Sequence, residues 1–181
     1  MSQKRLLIDI INLLNSVEIP YYLTGSWALS YYAQPRSTHD IDFVVNLFQK
    51  DVSRFFNAFD KDRYMISKQS ITDAIFYKTQ FQITDRQTGF WIDFWIPKDD
   101  EFNRTVFARR KRVRLFNMDT CLPTPEDLIL SKLVWSNISG GSKLQRRDVE
   151  TIFTFQKELD KKYIDKWVNK LNLKEEYDKI K

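Results

Sequence analysis

The chain has 181 residues, 43% of them hydrophobic and 15% aromatic, with a net charge of +5, enough for one packed core or for a catalytic domain with a helical appendage. One cysteine, Cys121, and one histidine, His39, exclude an intrachain disulfide, a thiolate cluster and a multi-histidine zinc centre. Any metal therefore sits on oxygen ligands, which points to magnesium or manganese. The apolar stretch Leu6 to Leu14 is broken by Asp9 and Asn12, far short of the roughly 20 residues that span a bilayer. Behind Lys4 and Arg5 there is no signal-peptide pattern, so a cytoplasmic protein with no membrane association is expected.

In chain order, Leu6, Leu7, Ile10, Ile11 and Leu14 repeat at helical spacing and predict a helix over 4–14. Pro20 bars its continuation; Tyr21 to Leu23 reads as a short strand ending at Thr24-Gly25-Ser26, and Trp27 to Ala33 as a helix that Pro35 stops. Trp27, Tyr31 and Tyr32 fit packing of that helix on a sheet. Asp40 to Val45 alternates acid and apolar residues as a strand does, and Phe48, Val52, Phe55, Phe56 and Phe59 line one side of a helix over 48–60. Strands are expected at 74–83, at 90–96 closed by Pro97, and at 106–116.

Arg104, Arg109, Arg110, Lys111, Arg112 and Arg114 crowd this last segment. Such a cluster either attracts phosphate-bearing partners or protects a solvated edge strand. From Leu122-Pro123-Thr124-Pro125 onward the pattern is helical, over 125–136, 144–159, 161–171 and 174–180, with Gly140-Gly141 as a loop and Trp135 expected in the core. The chain thus divides near residue 120, into a mixed domain over 1–120 and a helical one over 121–181.

Asp40 and Asp42, two apart on a strand, emerge on one face about 6–7 Å apart at the backbone. Two carboxylates so placed repel unless a cation or a proton intervenes. Asp93, between Ile92 and Phe94, repeats the apolar-acid-apolar pattern, so neighbouring strands would bring the three acids together. Gly25-Ser26 stands where a strand gives way to a helix, a place where a phosphate can meet glycine backbone, a hydroxyl and free helix amides. Metal ions on the carboxylates would clamp a triphosphate while the turn grips the departing phosphates. Arg36 could hold phosphate or position the acidic strand; His39, beside Asp40, is given no role.

Gly25-Ser26 followed by Asp40-Ile41-Asp42-Phe43 resembles the signature of the DNA polymerase beta-type nucleotidyltransferase superfamily, and Arg36-Ser37-Thr38-His39 resembles the approach to that strand in its small bacterial members. Thr24 stands where an apolar residue is usual. The resemblance implies an α+β fold, a minimal mixed sheet flanked by helices and followed by a helical C-terminal region. Asp40, Asp42 and Asp93 would be catalytic and metal-binding, with Mg2+ or Mn2+ as the ion and a nucleoside triphosphate as substrate. Gly25, Ser26 and Arg36 would bind the nucleotide.

Pro125 to Leu133, followed by Gln145-Arg146-Arg147-Asp148-Val149, resembles the C-terminal half of AbiEii-type nucleotidyltransferases, several of which are toxins of toxin-antitoxin pairs. That likeness implies that Lys132 contacts the triphosphate, that Asp148 supports the pocket, and that a cognate antitoxin is a partner. Thr151 stands where a further acid is often found. The expected reaction is transfer of a nucleoside monophosphate to an acceptor hydroxyl on tRNA, another RNA or a protein. A small antibiotic nucleotidyltransferase, or a non-catalytic binding module that keeps the fold, is the alternative.

Overall fold

Ser2 starts the first helix by accepting a hydrogen bond from the Arg5 amide, and α1 (Gln3–Ser16) then buries Leu6, Leu7, Ile10, Ile11 and Leu14 along one stripe. The structure is a computed structural model and describes residues 2–180. β1 (Tyr21–Leu23) leads through Thr24 into α2 (Gly25–Tyr32), and an extended segment carries the chain to β2 (Asp40–Val45). A 3-10 turn at Gln49–Asp51 precedes α3 (Val52–Ala58); then follow β3 (Tyr64–Met65), α4 (Lys68–Tyr77), β4 (Gln80–Asp85) and β5 (Trp91–Trp95). α5 (Glu101–Arg109) and the hairpin of β6 (Lys111–Leu115) and β7 (Met118–Leu122) connect to α6 (Pro125–Ile138), α7 (Lys143–Phe155), α8 (Lys161–Lys170) and α9 (Lys174–Asp178).

Five strands form a mixed sheet in the order β1-β2-β5-β4-β3, in which β2 and β5 are parallel and the other neighbours antiparallel. The period-two geometry of strands gives the sheet two chemically different faces. One carries Ile41, Phe43, Val45, Phe81, Ile83, Ile92 and Phe94, all buried. Phe94 is its centre, with ring centroids at 5.6 Å from Phe43, 5.1 Å from Phe81 and 5.4 Å from Phe55 of α3. The other face carries the acids.

On the acidic face the cover is uneven. Tyr22, opposite Val44 on the neighbouring strand, is buried with its ring 5.7 Å from that of Phe107 on α5. Trp95 of β5 meets Trp135 of α6 at 4.6 Å. Further out, Gln80, Gln82 and Trp91 remain exposed. Thr124 caps α6 and Pro125 occupies its first turn. Asp127, fully buried, anchors this start by accepting from Arg109 at 3.0 Å and from the Tyr163 hydroxyl at 2.6 Å. Among the described residues no helix is long and apolar enough to cross a membrane.

Two expected strands begin too early. Residues 74–77 end helix α4, where Ile71, Ala74 and Ile75 supply a helical stripe, Ser67 caps the start, and Lys78 closes the helix in the left-handed conformation. Likewise 106–109 belong to α5, which Asp100 caps by accepting from the Asn103 amide. In both places the aromatic and branched residues suggested a strand, while a polar cap several residues upstream had already set a helix going. Trp135, expected in the core, is 42% exposed.

Replacing Phe94 with alanine empties the aromatic centre beneath the acids. A loss of about 3–5 kcal/mol is expected, read as a lowered urea midpoint in equilibrium unfolding.

Candidate active site

The parallel pairing of β2 with β5 sets Asp42 directly beside Asp93, and Asp40 beside Trp91. Residues 40, 42 and 93 therefore rise from one face, and their carboxylate oxygens converge within 4.8 Å of one another. Each is held by a neighbour. Thr38 donates its hydroxyl to Asp40; Gln82 Nε2 donates to Asp93 Oδ1 at 2.9 Å; the Trp95 indole N–H donates to Asp42. Three hard oxygen ligands at this spacing suit a divalent cation such as magnesium or manganese.

The acids carry the electrostatic signature of crowding. Asp42 is raised from its ordinary 3.8 to about 6, first by burial and then by the charges of Asp40 and Asp93, with the Trp95 hydrogen bond and Lys132 pulling the other way. Asp93 also lies above the usual carboxylate range, through burial and Asp40, with Gln82 opposing. A bound cation would relieve both.

Gly25 sits against this cluster. The Thr24 amide donates to the Asp42 carbonyl at 2.9 Å, which sets the turn on the β1 side of the acids. Gly25 has φ +60°, and a Cβ there would lie 2.0 Å from Asp42 Oδ2. The glycine thus makes room for a protein carboxylate, in addition to allowing a left-handed turn. Ser26 is buried, and the Thr24 side chain makes no capping bond to the helix behind it. The start of α2 thereby keeps amide donors for an anion.

The remaining candidates form a second group. Lys132, 4% exposed, donates to Asp148 Oδ2 at 2.6 Å and to Gln145 Oε1 at 3.2 Å. Arg36 grips the same carboxylate with Nε and Nη2, both at 3.1 Å. Burial pushes Lys132 below the ordinary lysine range while the Asp148 charge holds it up, and Asp42 also acts on it. Lys132 and Asp148 are thus a buried ion pair joined to Arg36 and close enough to the acids to share their field.

A cavity of about 570 Å³ opens beside Ser26 and Thr38, walled by Trp27, Tyr31, Leu115 and Phe116. Tyr31 and Trp27 thus also border open space, beyond the packing role expected of them. Sequence reasoning did not find Thr38, Gln82 or Trp95. Trp91 and Trp95 carried a usable signal, since both stand two residues from Asp93 and so share its face.

No protein-family profile matches the chain, and no curated protein matches it in sequence. Its fold does match solved structures. An antigenic nucleotidyltransferase-like protein from Paracoccidioides brasiliensis is 15% identical, with a TM-score of 0.59 over 94% of this chain and 87% of that one. The enzyme ANT(2'')-Ia in complex with adenylyl-2''-tobramycin is 11% identical, with a TM-score of 0.61 over 98% and 99%. The lincosamide antibiotic adenylyltransferase LnuA, lincomycin-bound, is 10% identical, with a TM-score of 0.59 over 86% and 99%. The fold is that of the nucleotidyltransferases, and the acids of β2 and β5 stand together on its sheet.

Because the folded-state pKa of Asp42 is raised, the folded chain binds a proton that the unfolded chain has released between the two values. That contribution is complete below about pH 4 and is lost as pH rises through about 6, on the order of 2 kcal/mol after discounting partial exposure. Metal-free Asp42→Asn should lack this fall, seen as a shrinking difference from wild type in urea melts toward acid pH. Gly25→Ala should displace Asp42 and weaken Mn2+ binding by about tenfold or more, measured by calorimetry.

Proposed function

We propose that the chain is a divalent-metal-dependent nucleotidyltransferase that moves a nucleoside monophosphate from a nucleoside triphosphate to an acceptor hydroxyl. The convergence of Asp40, Asp42 and Asp93 within 4.8 Å is the observation that carries this. Asp40 and Asp42 would hold the ions shared with the triphosphate, and Asp93 the ion on the acceptor's side. Bound there, magnesium or manganese would neutralise phosphate charge and lower the pKa of the acceptor hydroxyl.

The chain's own groups set the direction of reaction. The α2 amides and Ser26 receive the β- and γ-phosphates on the β1 side of the acids. The acceptor oxygen forms a bond to the α-phosphorus, the bond from that phosphorus to the bridging oxygen breaks, and pyrophosphate leaves. Asp93, beside Asp42 on the acceptor's side of the cluster, would take up the proton of the hydroxyl. Arg36 and Lys132 add positive charge behind the phosphates, and Asp148 fixes both.

Loss of any one acid would be tolerated in a binding module without turnover, and all three are present. Cognate-antitoxin binding and a toxin role have the sequence likeness over 125–149 in their favour. Two of the similar structures carry an antibiotic or an adenylylated antibiotic in their names. An antibiotic acceptor is therefore the second reading, beside an RNA or protein hydroxyl.

The test is incubation of the chain with each α-labelled nucleoside triphosphate, magnesium, and pools of RNA, protein and hydroxylated small molecules. Label should enter an acceptor with wild type and fall by about 10³-fold or more with Asp42→Ala, whose fold is checked by circular dichroism. Equal incorporation by the two proteins would refute the mechanism.

A further inference from the structure

In the transfer proposed above, the leaving oxygen departs from the α-phosphorus roughly opposite the attacking one. The two ends of the donor therefore face different surroundings. Asp93, on the acceptor's side, stands on β5, while the turn that receives the β- and γ-phosphates is tied to Asp42 through the Thr24 amide on the β1 side. A group attached beyond the γ-phosphate points toward α2 and away from β5.

The cavity of about 570 Å³ opens on that side. Ser26, Trp27 and Tyr31 line it from α2, Arg36 and Thr38 from the segment that enters β2, and Phe116 from the tip of the hairpin of β6 and β7; among the described residues none of β4 or β5 borders it. One end suits phosphate. Ser26 is buried, yet its hydroxyl donates to no partner among the described residues. Arg36 commits Nε and Nη2 to Asp148, whereas its Nη1 meets only the Ser37 carbonyl, at 3.4 Å, and keeps donor capacity for an anion. The walls carry this arginine and no carboxylate.

The other end is of a different kind. The Phe116 ring meets Trp27 edge to face at 5.9 Å, the Lys4 ammonium lies 4.2 Å from the Phe116 centroid, and Tyr31 and Phe116 are both exposed. A cavity of this size is in the range that holds a whole small ligand. Pyrophosphate has no apolar face to set against three aromatic rings, whereas a planar nucleobase stacks on such rings whatever its identity.

Resting on the nucleotidyltransferase reading, we infer that the chain takes as donor a dinucleoside polyphosphate, in which a second nucleoside ends the phosphate chain and its base stacks in this cavity against Tyr31 and Phe116. Ser26 and Arg36 hold the phosphates between the two nucleosides. The acceptor oxygen forms a bond to the first α-phosphorus, the bond from that phosphorus to its bridging oxygen breaks, and the proton of the hydroxyl passes to Asp93. The second nucleoside leaves with the remaining phosphates, as a nucleoside triphosphate when the donor has four, in place of the pyrophosphate released from a nucleoside triphosphate.

The experiment is calorimetric titration of the full chain, with magnesium and no acceptor, using ATP and diadenosine tetraphosphate. Diadenosine tetraphosphate should bind about tenfold or more tightly than ATP, as one further stacked base supplies. Phe116 has φ +51°, a conformation glycine adopts freely, so Phe116→Gly removes its ring without straining the turn, and Tyr31→Ala removes the other from an exposed helical position. Combined in one chain, with the fold checked by circular dichroism, the two substitutions should bring diadenosine tetraphosphate down to the ATP affinity and leave ATP binding as it was. Equal wild-type affinity for the two compounds, or an advantage that survives the double substitution, would overturn the inference. So would an equal fall for ATP, which would assign the cavity to the donor's own base. Failure of wild type to bind ATP would instead strike the nucleotidyltransferase reading itself.

Discussion

Three carboxylates forced together by sheet register are the constraint around which the rest of the molecule is arranged. Register pairs residue 42 with residue 93, strand period brings residue 40 to the same face, and Gly25 leaves the space into which Asp42 leans. The charges of Asp40 and Asp93 raise the proton affinity of Asp42, and that of Asp40 raises the proton affinity of Asp93. The crowding persists because the opposite face of the same strands is packed with phenylalanine and isoleucine, whose burial outweighs a few kcal/mol of repulsion. A site strained in this way has a built-in preference for cations, since a bound ion removes repulsion as well as gaining ligands.

The two faces of the sheet also explain how the C-terminal helices are used. They do not build the core beneath the acids, which α1, α3 and α4 complete from the other side. Phe107 of α5 covers the β1 end of the acidic face at Tyr22, and α6 reaches Trp95 through Trp135. Beyond that the sheet lies open at Gln80, Gln82 and Trp91.

What could be read before the fold was known depended on the range of the interaction. Strand period is local, so the shared face of Asp40 and Asp42 was legible, and the Ile92-Asp93-Phe94 pattern announced a third acid. Their meeting needed β2 and β5 to pair in parallel, which no local rule supplies. Gly25 was marked as a turn residue, yet its closest neighbour is a carboxylate seventeen positions away in sequence. Residues 74–77 and 106–109 have the aromatic and branched content of strands, while the caps at Ser67 and Asp100 place them in helices. The basic residues are close in sequence, yet Arg104 and Arg109 lie on α5, where Arg109 is tied to buried Asp127, and Lys111, Arg112 and Arg114 lie on β6.

The tail's contribution to the site is chiefly electrostatic. Asp148 is almost fully buried and binds two cations, Lys132 from its own helical region and Arg36 from the segment that leads into β2. One carboxylate against two cations leaves the group net positive, and Lys132 draws the Asp42 pKa downward, so that charge is felt at the acids. The bidentate grip of Arg36 fixes the position of the segment carrying Thr38, and Thr38 in turn holds Asp40. Asp148 thus connects the α7 helix to the first acid of β2 by two hydrogen-bonded steps. A carboxamide at 148 would keep the shape of this link but remove the charge that makes burial of Lys132 tolerable. The acid at 148 is therefore a structural requirement of the acidic face.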